Sequence, residues 1–140
     1  MPPGKMTGQV SVEFLIVVGM VLMILTPLWF SLYKSVSDEQ ETVRISSGKT
    51  ALSRIARAAE LVYIQGAPAE TTITVSLPSG IENFSLGNNE AVLRITYKGT
   101  YIDLVEPLKT NITGTLPLTG GLYRLKIKAM DGGYVNVSVV

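Results

Sequence analysis

The sequence predicts an α+β protein, a long N-terminal hydrophobic helix packed on a small antiparallel β-sheet or sandwich head. Three observations carry that expectation. Phe14 to Tyr33 run for 20 residues without a charge, which at about 1.5 Å per residue makes roughly 30 Å of helix, the thickness of a bilayer core. Leu52, Ile55, Ala59 and Val62 then recur at helical spacing as one apolar stripe. From Thr71 onward the apolar period changes from 3.6 to 2, as strands with one buried face require.

In chain order, residues 1–8 form a short leader whose single charge is Lys5. A secretory signal places its small-residue cleavage site after the apolar core. Here Gly8 precedes that core, so a cut at Gly8 leaves it on the mature chain. Residues 9–33 form the hydrophobic helix. Val, Leu, Ile and Met surround Gly19 on every side, and a helix apolar all round belongs in lipid or in protein. Pro27 removes one i→i−4 bond and is expected to kink the helix, with Thr26 able to satisfy a freed carbonyl. Trp29, Tyr33 and Lys34 make an interfacial belt at the far end, while Lys5 and Lys34 oppose each other as orientation signals. Glu13 stands just inside the apolar boundary. A carboxylate there is costly unless paired or snorkelled to the interface, so it is a candidate functional residue, the alternative being an interfacial Glu of a one-pass anchor.

Residues 34–68 continue as polar and then amphipathic helix. Ser37-Asp38-Glu39-Gln40 reads either as a capping box that restarts the helix or as the wet turn of one continuous helix. Ser46-Ser47-Gly48 is a point where either arrangement can bend. Arg54, Arg57 and Glu60 line a face apart from the apolar stripe, and Gly66-Ala67-Pro68 supplies the stop. Residues 69–140 form the β head. Ile73, Val75 and Leu77 alternate with polar residues, as do Leu93, Ile95 and Tyr97, then Tyr123 to Ala129, then Val135, Val137 and Val139. Lys98-Gly99 and Asp131-Gly132-Gly133 are hairpin signals. Six or seven strands are expected, their buried face covered by the stripe on residues 49–65.

The N-terminal order resembles the class III, or prepilin-type, signal sequence, in the Q-x-S-x-E form of archaeal type IV pilin-like proteins. The matching residues are Gln9, Ser11 and Glu13, followed by Phe14-Leu15-Ile16-Val17-Val18. The resemblance spans Met1 to about Tyr33. It implies cleavage between Gly8 and Gln9 by a membrane prepilin peptidase. It also implies an N-in, C-out precursor in the cytoplasmic membrane and a mature subunit of an extracellular filament. Glu13 of one subunit would meet the freed Gln9 amine of its neighbour and set the register. The implied partners are copies of the chain in a helical homo-oligomer, an assembly ATPase and a membrane platform protein. Val-Glu-Phe before an apolar run with a later proline also resembles the TadE-like family, which leaves a minor pilin or pseudopilin open beside a major one. A single-span anchored module whose head binds an extracellular partner is the third alternative.

Composition agrees with an exported, assembled protein. Formal charge is +1, and loss of Lys5 with the leader balances basic against acidic residues. No nucleic-acid partner is expected from that balance. The chain has neither Cys nor His, which removes thiol nucleophiles, thiolate and imidazole metal ligands and the Ser-His-Asp triad. No catalytic residue, cofactor or metal site is assigned, and the acids Glu82, Glu90, Asp103, Glu106 and Asp131 show no ligand spacing. Ser47-Gly48-Lys49-Thr50 ends like a phosphate-binding loop, but that loop needs glycine where Val43 stands. The basic stripe Arg124, Lys126 and Lys128 offers a contact for DNA or an anionic surface, but reads first as a solvated or lysine-guarded edge strand. Tyr97, Tyr101, Tyr123 and Tyr134 read as core and rim of the sheet. Three sequons, at Asn83, Asn111 and Asn136, offer N-glycosylation sites in an exported head and adhesion is the expected service of the assembled surface.

Overall fold

The computed structural model describes residues 6–140, with side chains described from Ser11 onward. Residues 1–5 of the expected leader fall outside it, and at the expected cleavage point between Gly8 and Gln9 only helical backbone is described. The protein is α+β, as expected. Helix α1 runs over Met6–Gln65, and the chain divides into two compact units after Gln40.

Of the two readings of residues 37–40, the continuous helix is the one found. The Ser37 hydroxyl donates to the Tyr33 carbonyl at 3.2 Å, one turn back. It therefore serves its own helix rather than capping a new one. The helix ends where glycine permits. Gly66 has φ 73° and its N–H reaches the carbonyls of Val62 and Tyr63, both at 3.1 Å. A left-handed residue of this kind satisfies carbonyls that a helix terminus otherwise leaves open.

The second unit holds the end of α1 and seven strands: β1 Glu70–Leu77, β2 Ile81–Gly87, β3 Glu90–Tyr97, β4 Thr100–Pro107, β5 Asn111–Gly114, β6 Gly121–Met130 and β7 Tyr134–Val139. They form a four-stranded sheet in the order β1-β6-β7-β5 and a three-stranded sheet in the order β2-β3-β4. Both sheets share one core with α1. Leu52, Ile55, Ala59 and Val62 are all buried, against Val75, Leu93, Ile95, Ile112, Leu125, Ile127, Val135 and Val137.

Gly48 is buried too, and its role is close approach rather than bending. A Cβ there would stand 2.8 Å from Ile95 Cδ1, 3.1 Å from Leu104 Cδ1 and 3.2 Å from Leu93 Cδ2. The tetrapeptide 47–50 is accordingly mid-helix, with no strand leading into it.

Turn chemistry sets the hairpins. Lys98 and Gly99 take φ 47° and 78° between Tyr97 and Thr100, which pair. Both central residues being left-handed matches the strand twist. Asn88 and Asn89, at φ 51° and 61°, do the same between β2 and β3. Asparagine tolerates that conformation better than most residues, so Asn88-Asn89 was a readable hairpin signal beside the two identified.

Two expectations need correction. Not every pairing is antiparallel, because β5 runs parallel to β7. This four-residue strand joins the outer side of β7 while β6 already occupies the inner side. Nor is the basic strand an edge. β6 lies between β1 and β7, so Arg124, Lys126 and Lys128 do not guard a free ladder. The tyrosines divide as core and rim: Tyr123 packs half-buried against the core, Tyr97 and Tyr134 are half-buried, and Tyr101 is exposed.

Candidate functional site

The described residues of the first unit are helix alone, and their chemistry follows from what covers them. From Ser11 to Gln40 every residue except half-buried Val18 is exposed. Phe14 is 67% exposed, Met23 80% and Trp29 78%. Burying each such side chain is worth about 1.5–3 kcal/mol, so the run as a whole represents some tens of kcal/mol that water does not satisfy. Its length and composition are enough to cross a membrane.

Glu13 interrupts this surface one helical turn after Gln9, so the two positions share a face. Among the described residues no cation pairs with Glu13. Apart from its own helix backbone, Gly19 has nothing among the described residues within 4 Å of where a Cβ would stand. Its smallness therefore answers no intramolecular need. α1 continues through Pro27, whose missing N–H leaves the Met23 carbonyl without its helical donor. The Thr26 hydroxyl does not reach that carbonyl. It donates at 2.6 Å to the Leu22 carbonyl one residue earlier, a back-bond of the sort that bends helices. Trp29, Tyr33 and Lys34 are exposed at the end of the run.

Sequence reading missed one ordered polar pair in the second unit. Arg94 on β3 faces Asp103 on β4 in register. The guanidinium donates from Nε to Oδ1 at 2.6 Å and from Nη2 to Oδ2 at 2.8 Å. Hydrogen bonding to Arg94 holds the Asp103 carboxyl below its ordinary range, with burial opposing and charge attraction assisting. Arg94 is raised for the reciprocal reason. Both groups are solvated, at 48% and 41% exposed, so the fork steadies a hairpin rather than building a reactive centre. Arg94 sits in an alternating strand pattern, but only the register reveals Asp103 as its partner.

The sequons occupy distinct places. Asn83 is exposed at the irregularity in β2, and Asn111 is exposed at the start of β5. Asn136 is half-exposed between buried Val135 and Val137 on β7. Comparison with protein-family models, with curated proteins and with solved structures finds no match.

Proposed function

We propose that this chain is a structural pilin subunit of an archaeal type IV pilus-like surface filament, processed between Gly8 and Gln9. The observation that carries this reading is the juxtaposition at the N-terminus. A Q-x-S-x-E motif with Glu13 unpaired among the described residues directly precedes an uncharged, predominantly apolar run of helix that is exposed at every residue but half-buried Val18.

The apolar helix first rests in the cytoplasmic membrane, N-in and C-out. Cleavage by a prepilin peptidase frees the Gln9 amine. An assembly ATPase and a membrane platform protein then move the helix from lipid into a stack of its copies. Because lipid is as apolar as the neighbouring helices, close packing decides between the two environments. Gly19 allows that packing. Glu13 supplies direction and register, because a carboxylate in apolar surroundings is stabilised only where a cation meets it. The neighbour's Gln9 amine is that cation. The β heads then form the outer surface and serve attachment, with Asn83, Asn111 and Asn136 available for glycans.

N-terminal sequencing of the protein recovered from its native membrane and from sheared surface filaments tests the reading. A mature start at Gln9 is expected. Retained Met1 sinks it and leaves the single-span anchored binding module. Given that start, a chain abundant in filaments is a major subunit, and a trace component is a minor pilin or TadE-like pseudopilin. Glu13→Gln is expected to abolish filaments while leaving membrane insertion and cleavage intact.

A further inference from the structure

The four-stranded sheet turns one face to the core and the other to solvent. Val75, Leu77, Leu125, Ile127, Val135 and Val137 fill the inner face. The period of two therefore sends Arg124, Lys126 and Lys128 outward from β6. Because β6 has strands on both sides, the three cations stand in the middle of this face. Register completes it. Arg124 lies beside Thr74, Lys126 between Thr72 and Ser138, and Lys128 between Glu70 and Asn136. Thr113 on β5 follows Asn136 in the same row.

This ladder is a local excess on a chain with nearly balanced charge. Glu70 is the one carboxylate these strands carry outward, and it lies 3.1 Å from the Lys126 ammonium. Arg124 and Lys128 have no ion-pair partner among the described residues. The fold asks only for polar residues at these positions, as Thr72, Thr74 and Ser138 demonstrate on the flanking strands. Three cations in a row serve something else.

We propose that the outer face of the four-stranded sheet binds the phosphate backbone of nucleic acid. Alternate side chains on a strand repeat at about 6.7 Å, comparable with the separation of successive phosphates along an extended strand. The surrounding hydroxyls and the Asn136 amide donate to phosphate oxygens without reading bases. Tyr134, at the end of the face, packs against Gly132, so the cations have no stacking platform among them. The face of a four-stranded sheet also lacks the helix or ribbon that enters a major groove. The binding is therefore sequence-independent and salt-sensitive. This reverses the expectation drawn from net charge, because register concentrates cations that composition dilutes. It concerns the head alone and meets the filament reading only at Asn136, which must carry no glycan for this face to bind.

The test uses the full chain, made in a bacterial host without glycans and held in non-ionic detergent, with a fluorescein-labelled 30-base-pair DNA duplex as probe. Fluorescence anisotropy is expected to show binding that weakens roughly sixfold for each doubling of salt, as three released counterions dictate. The triple variant Arg124→Gln, Lys126→Gln, Lys128→Gln is expected to lose at least tenfold in affinity. Lys49→Gln with Arg57→Gln, on α1, is expected to bind as the parent does. Glu70→Gln frees Lys126 and is expected to tighten binding by about 1.4- to fivefold, the range that exposed ion pairs support. Unchanged affinity in the folded triple variant overturns the proposal. So does equal loss in the α1 variant, or weaker binding by Glu70→Gln. Preferential displacement of the duplex by polygalacturonate, over a competing single strand of DNA, overturns it in favour of an acidic polysaccharide. Preferential displacement by vesicles of anionic lipid overturns it in favour of a membrane surface.

Discussion

Residues 11–40 and residues 41–65 belong to one helix by backbone, yet they solve opposite problems. In the first stretch Leu22, Met23 and Phe30 are exposed, and in the second Leu52, Ile55 and Val62 are buried. Each stretch carries a glycine where a larger residue would propagate a helix better. At Gly48 the missing Cβ makes room for Ile95, Leu104 and Leu93, whereas at Gly19 it makes room for nothing among the described residues. Along the buried stripe of the later stretch, apolarity and small size are therefore intramolecular devices. In the earlier one they point outside the molecule, to lipid or to copies of itself.

Substitution breaks or sharpens this contrast. The largest effect is expected from Leu52→Ala, which leaves a cavity in a site that is 2% exposed and should cost about 2–5 kcal/mol. Leu22→Ala, at a site 57% exposed, should leave the melting of the β-containing unit unchanged. Denaturation in detergent, followed by near-ultraviolet circular dichroism, reads both. Equal losses would erase the distinction between the stretches.

Gly48→Ala comes next. Alanine gains up to about 1 kcal/mol of helix propensity over glycine, but overpacking a filled core typically costs about 1–3 kcal/mol. Three neighbours within 3.2 Å leave little room to yield, so a net loss is expected, deeper for Gly48→Val. Gly19→Val should leave melting unchanged and instead weaken filament formation. A stabilised Gly48→Ala would show that the sheet side chains move aside freely.

The smallest effect is expected at the Arg94–Asp103 fork. The folded Asp103 carboxyl titrates below its unfolded value of about 3.9. Its contribution is accordingly present above that value and lost as pH falls through the folded pKa. Asp103→Asn should lower Tm slightly at neutral pH and reduce the acid sensitivity of melting, with both effects shrinking in high salt. A variant whose acid profile matches the parent would remove the fork from the stability of the hairpin.

Much of the fold was legible because burial imposes a period. Leu52, Ile55, Ala59 and Val62 gave the helix face, and Leu125, Ile127, Val135 and Val137 gave strand faces, because each side chain must choose core or solvent. Gly66 and Lys98-Gly99 were readable since left-handed backbone needs particular residues. Other features had no such local signature. β5 is four residues long, and its parallel pairing with β7 depends on segments far apart in sequence. The back-bond of Thr26 to Leu22, instead of to the carbonyl Pro27 frees, is a matter of rotamer geometry. The candidate membrane and assembly segment was legible for the opposite reason: its residues have no core to choose, so their exposure follows from composition.

By itself, then, the sequence determined the α+β class, the long apolar helix and its Glu13, the stop at Gly66 and most of the inward set of β1, β3, β6 and β7. These follow from local sterics and hydrophobic period, which act within a few residues. Only the tertiary structure decided that β6 is an inner strand, that Gly48 lies under the sheet and that Arg94 meets Asp103. Strand order and register are long-range choices, set by how one common core is filled, and no local pattern encodes which strand will be the neighbour.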